Sequence, residues 1–287
     1  MAARRTRLAW IGVAAVALAS VAYAQTTEDR TQDRVAFPAH KIMGNLYYIG
    51  TGTLNSYLFT TPQGHILLNT NFEETVPLLQ ASVEKLGFKM TDVKIILGSH
   101  AHGDHQQADA VVKELTGGAP VIVMEQDVAQ LKGMKAPSGK AHPIDRVLKD
   151  GETVTLGGTT LTAHLTPGHT RGCTTWTLNV PDGGRNYNVL IACGGLQEDA
   201  RLVGNRNYPE IAEDFGKSIA KYKTMKPDVF LGSHSWFFDL AGKYKRLQAG
   251  ATPNPYVDPS GYKAWVDNME KNYNSLIAEQ KKAAPSN

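Results

Sequence analysis

Apolar positions recur along this chain with two periods, and each period predicts a different kind of element. Short runs rich in β-branched and aromatic residues at 45–49, 54–60 and 65–69 predict strands, with Pro62-Gln63-Gly64 as a turn between the last two. Leu78, Leu79, Val83 and Leu86 then share one helical face. Pro77 suits the first turn of that helix and Gly87 its end. A short apolar strand follows at 93–97, then a helix that runs to about Leu115, halted by Gly117-Gly118. A buried strand is expected at 120–124 and a helix at 125–132. The loop at 132–143 is long enough to reach over a site.

The second half repeats this plan loosely. Asp150-Gly151 and Gly157-Gly158 read as hairpin turns. In 159–165, Leu161, Ala163 and Leu165 face one way while Thr160, Thr162 and His164 face the other. Residues 174–180 and 187–193 form a hairpin around Pro181-Asp182-Gly183-Gly184. Residues 209–225 make an amphipathic helix with Ile211, Phe215, Ile219 and Tyr222 as its buried stripe. A strand at 228–231 precedes His234, and the tail is helical to about residue 282. Residues 25–44 read as an exposed lead-in. Strands precede helices in both halves, with polar residues at strand ends. This predicts an α+β sandwich of two β-sheets face to face with helices outside, and a site along one sheet edge.

The N-terminus changes the picture of the charge. Arg4, Arg5 and Arg7 precede an apolar stretch at 8–21, and Ala22-Tyr23-Ala24 fits a small-x-small cleavage site. The stretch is shorter than the ~20 residues of a membrane span. Residues 1–24 are therefore expected to be a signal peptide, and residues 25–287 a single domain that is periplasmic or secreted. The Arg4-Arg5 pair leaves both the general and the twin-arginine export routes open. The formal net charge is +3, and those three arginines carry as much. The mature chain is near neutral, which argues against nucleic acid or an anionic membrane as partner and leaves a small-molecule substrate. Hydrophobic residues make up 42% of the 287 positions, enough for a large core. The two cysteines, Cys173 and Cys193, are too few for a disulfide scaffold.

The candidate chemistry is concentrated in His100-Ala101-His102-Gly103-Asp104-His105. Three of nine histidines fall within six positions, beside an aspartate. Imidazole nitrogen and carboxylate oxygen are ordinary zinc ligands. In an extended segment His100 and His102 project to the same side, and a turn into a helix at Gly103 aims Asp104 and His105 at a second metal. His169 and His234 each follow a strand and have glycine nearby, which is read as leaving room for metal and substrate. His142 lies in the possible overhanging loop. His40, His65 and His164 read as surface or strand residues, and Trp236, Phe237 and Phe238 as pocket wall or core. No Gly-x-Ser-x-Gly elbow suggests a protein nucleophile.

His-x-His-x-Asp-His followed by Gly-His and a late His resembles the metallo-β-lactamase superfamily, from about Gly44 to the C-terminus. The chain is most similar to subclass B3. The shared stretches are Gly44-Asn45-Leu46-Tyr47-Tyr48-Ile49-Gly50, the segment from Thr166 to Trp176, and the segment from Asn207 to Asp214. The resemblance implies two zinc ions per chain, the first on His100, His102 and His169, the second on Asp104, His105 and His234. It implies attack of a zinc-bound hydroxide on a β-lactam ring, with Asp104 as the catalytic residue that orients it. The alternative on the same fold is hydrolysis of another ester, lactone or thioester. Relatives of the latter kinds carry a metal-bridging Asp where this chain reads Cys193-Gly194-Gly195. Asn69 also stands where an Asp is common, Cys193 near a usual Ser, and residues 194–200 lack a segment that holds the substrate carboxylate. For Cys193 a zinc bond, a disulfide with Cys173 and a plain thiol are all open. If Val180 pairs with Tyr187, Cys173 and Cys193 lie one position out of register. A free thiol near the site is the expectation.

Overall fold

The computed structural model describes residues 30–283. The leader expected over residues 1–24 lies outside them. Strands β1 (His40–Met43), β2 (Leu46–Tyr48), β3 (Tyr57–Thr61) and β4 (Gly64–Leu68) run antiparallel. Pairing then turns parallel, from β4 to β5 (Val93–Leu97), β6 (Val121–Met124) and β7 (Arg146–Leu148). Parallel neighbours need long crossovers. Helix α1 (Val76–Lys85) joins β4 to β5, α2 (Gly103–Gln106) and α3 (Asp109–Leu115) join β5 to β6, and α4 (Val128–Gly133) joins β6 to β7.

The second sheet is β8 (Thr153–Leu156), β9 (Thr159–Leu165), β10 (Thr174–Asp182), β11 (Arg185–Ala192) and β12 (Val229–Gly232). All its pairs are antiparallel except β11 with β12, which α5 (Ile211–Thr224) connects. Helices α6 (Leu240–Gln248) and α7 (Pro259–Ala283) follow. Among the described residues, no helix is long and apolar enough to cross a membrane.

Side-chain alternation explains the layering. Phe59, Ile66, Leu68 and Leu97 join Leu161, Ala163, Trp176, Leu178 and Ile191 in the core between the sheets. The intervening Leu58, Leu67 and Ile96 meet Val76, Leu79 and Val83 of α1 and Val112 of α3. Both faces of β4 and β5 are thus covered toward their C-terminal ends, which read as apolar runs at 66–68 and 95–97 after His65 and Lys94. Ile219 and Tyr222 of α5 and Val266 and Met269 of α7 pack with Phe230 of β12. The result is the expected helix–sheet–sheet–helix sandwich.

Three local expectations change. The lead-in is not all exposed: β1 pairs with β2 and buries Ile42 and Met43. That four-residue strand is too short for its alternation to stand out. The helix expected to run to about 115 starts at Gly103, where the turn was expected, but it is not continuous and breaks between α2 and α3. The third change concerns the cysteines. The hairpin has the expected register, Val180 with Tyr187, yet Cys173 and Cys193 form a disulfide. Paired residues run only as far as Trp176 with Ile191. Beyond that pair the strict alternation of faces no longer holds, and the two Cα atoms come within 5.6 Å.

Candidate metal centre

The site forms where the ends of β5, β9, β11 and β12 meet. β5 ends at Leu97, and His100 to His102 form a tight turn in place of the expected extended segment, the His102 N–H donating to the His100 carbonyl at 2.9 Å; only His102 itself is extended, at φ −106° and ψ 151°, before α2 begins. The rings of His100 and His102 lie 4.8 Å apart. The first turn of α2 presents Asp104 and His105. The loop after β9 brings His169, whose Nε2 lies 3.1 Å from Nε2 of His100. The turn after β12 brings His234, whose Nε2 lies 3.2 Å from that of His105. Oδ2 of Asp104 is 3.6 Å from Nε2 of His105 and 3.8 Å from that of His234. All six residues singled out in the sequence therefore converge, as two adjoining trios.

Neighbouring groups fix these side chains. Nδ1 of His169 lies 3.0 Å from the carbonyl oxygen of Gly195, which can only accept. The proton is thus on Nδ1, and Nε2 keeps its lone pair for the site. Gly194 permits this contact, because a Cβ there would stand 2.5 Å from Cγ of His169. Trp236 stacks on His234 with centroids 4.1 Å apart. Asn69 adopts a φ of 65° and accepts from the Ser99 backbone N–H at 2.8 Å. Its amide donates to the Asn55 carbonyl at 3.1 Å, so an uncharged residue braces the His100 loop. Asn55 Nδ2 and the Tyr57 hydroxyl both donate to the Gly232 carbonyl, clamping the end of β12 before His234. The disulfide lies behind the site, with Sγ of Cys193 3.6 Å from Nδ1 of His100.

The electrostatics favour ligands over charged histidines. Burial drives the pKa of His105 to about 4 and that of His169 to about 3. Burial, reinforced by the neighbouring histidines, also puts His100 and His234 well below the ordinary value, and burial lowers His102. Burial alone would raise Asp104, but His105, His234 and Arg30 outweigh it and hold the carboxyl below the usual carboxylate range. Neutral imidazoles and one carboxylate are the protonation states that bind a metal. Tetrahedral zinc with ligands at 2.0–2.1 Å would separate them by roughly 3.4 Å. The observed 3.1 to 3.8 Å separations straddle that value, so the donor sets suit zinc.

Several sequence readings are revised. The glycines near His169 and His234 make room for packing: a Cβ on Gly168 would meet the Phe215 ring at 2.6 Å, and one on Gly232 the Phe237 ring at 2.5 Å. His142 does not face the trios. Its side chain is buried, with Nε2 2.9 Å from Oδ2 of Asp109. Three Ser-x-x-Lys tetrads, Ser82 to Lys85, Ser218 to Lys221 and Ser260 to Lys263, lie on α1, α5 and α7. Ser218 donates to the Pro167 carbonyl, and Lys221 pairs with Asp150. Sequence reasoning missed Asp127, which is 1% exposed and accepts from Ala101 N, Thr170 Oγ1 and Gly172 N at 2.8, 2.8 and 2.6 Å. It ties the His100–His102 segment to the loop carrying His169. Its only sequence signal is its place just after a strand, shared with Glu125.

The model of the metallo-beta-lactamase superfamily matches residues 49–181. FEZ-1 metallo-beta-lactamase from Legionella gormanii is 45% identical and superposes with a TM-score of 0.82, over 86% of this chain and 98% of that one. The chain belongs to the metallo-β-lactamase superfamily. The class B3 di-zinc metallo-beta-lactamase LRA-12 from an Alaskan soil metagenome is 31% identical with a TM-score of 0.80, over 88% and 98% of the two chains. Curated matches are more local. A hydroxyacylglutathione hydrolase from Fuscovulum blasticum is 32% identical over 99 residues, 34% of this chain and 33% of that protein. The chain spans about a third of the length of the curated relatives it matches first. The curated matches are short, and the long likeness is to metallo-β-lactamases.

Proposed function

We propose that this metallo-β-lactamase-fold protein hydrolyses the β-lactam ring of antibiotics, using two zinc ions. The observation that carries the proposal is the pairing of a His100–His102–His169 trio, and of Asp104, His105 and His234 within 3.2 to 3.8 Å of one another, with a B3-type likeness that spans nearly the whole of each solved relative. His100, His102 and His169 hold the first zinc, and Asp104, His105 and His234 the second. Bound zinc acts as a Lewis acid and lowers the pKa of water to about 7. Asp104, ionised at neutral pH, accepts a hydrogen bond from the attacking water and aims it at the lactam carbonyl. The Gly195 carbonyl keeps the proton of His169 off Nε2. Trp236 shields one face of His234 from solvent.

The second reading, a lactone, ester or thioester hydrolase, draws on the local match to hydroxyacylglutathione hydrolases. Against it, the place expected for a metal-bridging carboxylate holds Cys193, fully buried and tied to Cys173. We further propose residues 1–24 as an export signal and residues 25–287 as one periplasmic or secreted domain. The test is expression of the full chain in a susceptible bacterial host. Resistance to at least one β-lactam should rise, and Asp104→Asn should abolish the rise. Unchanged susceptibility with folded, exported protein present would refute the proposal.

A further inference from the structure

Arg30 stands at the second trio yet takes no part in holding a metal. Its Nη1 donates to Oδ2 of Asp104 at 2.9 Å. That oxygen is also the one nearest Nε2 of His105 and His234. The guanidinium thus uses the same oxygen that the trio offers to a cation. The segment bearing Arg30 is docked beside the site. Thr53 Oγ1 donates to Asp33, Gly52 N donates to the Val35 carbonyl at 2.9 Å, and Ala36 bridges Thr51. Arg34 lies 4.7 Å over the Phe72 ring and pairs with Glu74. Arg30 therefore reaches Asp104 from an anchored piece of backbone. Its side chain is 42% exposed against 8% for Asp104, and its Nη1 also lies 3.7 Å from Oδ2 of Asp33.

Two cations drawing on one carboxylate oxygen repel each other. We propose that Arg30 competes with the second metal for Asp104. It lowers the affinity of the Asp104–His105–His234 trio and leaves that of the His100–His102–His169 trio nearly unchanged. The two trios then fill in order, and occupancy of the second follows the free metal concentration. This inference rests on the two-zinc reading above. An arginine beside a carboxylate shifts that group's competition with protons by about 1–3 log units. Partial exposure of Arg30 screens the effect toward the lower end, which sets the expected change at about 10-fold.

The test measures zinc binding itself. Metal-free full-length mature protein is titrated with zinc against a chromophoric chelator, and stoichiometry is read by elemental analysis after dialysis. Arg30→Gln and Arg30→Ala should tighten the second site by about 10-fold and leave the first within a few-fold of wild type. An unchanged or weaker second site in both variants would overturn the proposal; weakening would make Arg30 a positioning residue that holds Asp104 for the metal. Two zincs bound with identical affinities in wild type and variants would sink the competition alone. Failure of every form to take a second zinc would sink the two-zinc reading with it.

Discussion

Asp127 provides the sharpest test of how the site is held. Replacing it with alanine strands two backbone N–H groups and one hydroxyl in a pocket where the carboxylate is only 1% exposed. Each buried group left without a partner costs about 1–3 kcal/mol. Burial raises the carboxyl's own pKa against the pull of its donors, so the wild-type carboxylate has already lost part of this stabilisation to desolvation. The expected loss therefore lies at the low end, about 3 kcal/mol for Asp127→Ala. Asp127→Asn keeps the volume but must turn its NH2 toward one donor, at about 2 kcal/mol. Both variants free the His100–His102 segment from the His169 loop, so first-site zinc affinity should fall at least about tenfold, the equivalent of 1.4 kcal/mol. Urea unfolding of the metal-free protein gives the stability, and competitive zinc titration gives the affinity. An Asn variant of wild-type stability with an unchanged first site would refute this account of Asp127.

Other outcomes follow from the same geometry. Gly194→Ala places a Cβ against the His169 ring and should cost about 1–3 kcal/mol, with weakened first-site binding in the zinc titration; a neutral result would mean the loop gives way freely. In the metal-free protein the buried histidines have folded pKa values below their unfolded value. Their contribution is fully present above pH ~6.5 and lost as the pH falls toward about 4 for His105 and 3 for His169. The unfolding free energy of the metal-free form, read from urea titrations, should therefore drop steeply from pH 7 to 5, by about 2 kcal/mol per such histidine at pH 5, and a flat profile would contradict the burial argument. Cys173→Ser should cost about 2–4 kcal/mol in unfolding measurements while zinc stoichiometry stays the same. Cobalt-substituted wild-type protein should show no intense sulfur-to-metal band.

Much of the fold was legible because strong periodicity marks elements buried on a defined face. β5 and β9 occupy the expected residues, 93–97 and 159–165, and the expected stripe of α5 is buried. β1 was hidden because its partner strand, more than its own composition, makes it a strand. The six clustered residues were legible because ligand chemistry narrows the side chains that can serve. Their support was not. Asp127, Asp109 and Asn55 act by bonding to backbone or side chains distant in sequence, and nothing nearby marks one buried Asp from an exposed one. The disulfide escaped because a register argument holds only while the ladder is paired.

The proposed two-zinc opening of β-lactam rings is tested most directly by turnover of the purified protein on a penicillin, a cephalosporin, a carbapenem, a lactone and a thioester, before and after chelation. At least one β-lactam should be the best substrate of the five, chelation should abolish its turnover, and added zinc should restore it. Lactone or thioester turnover exceeding every β-lactam by orders of magnitude, or full β-lactam turnover without metal, would refute the proposal.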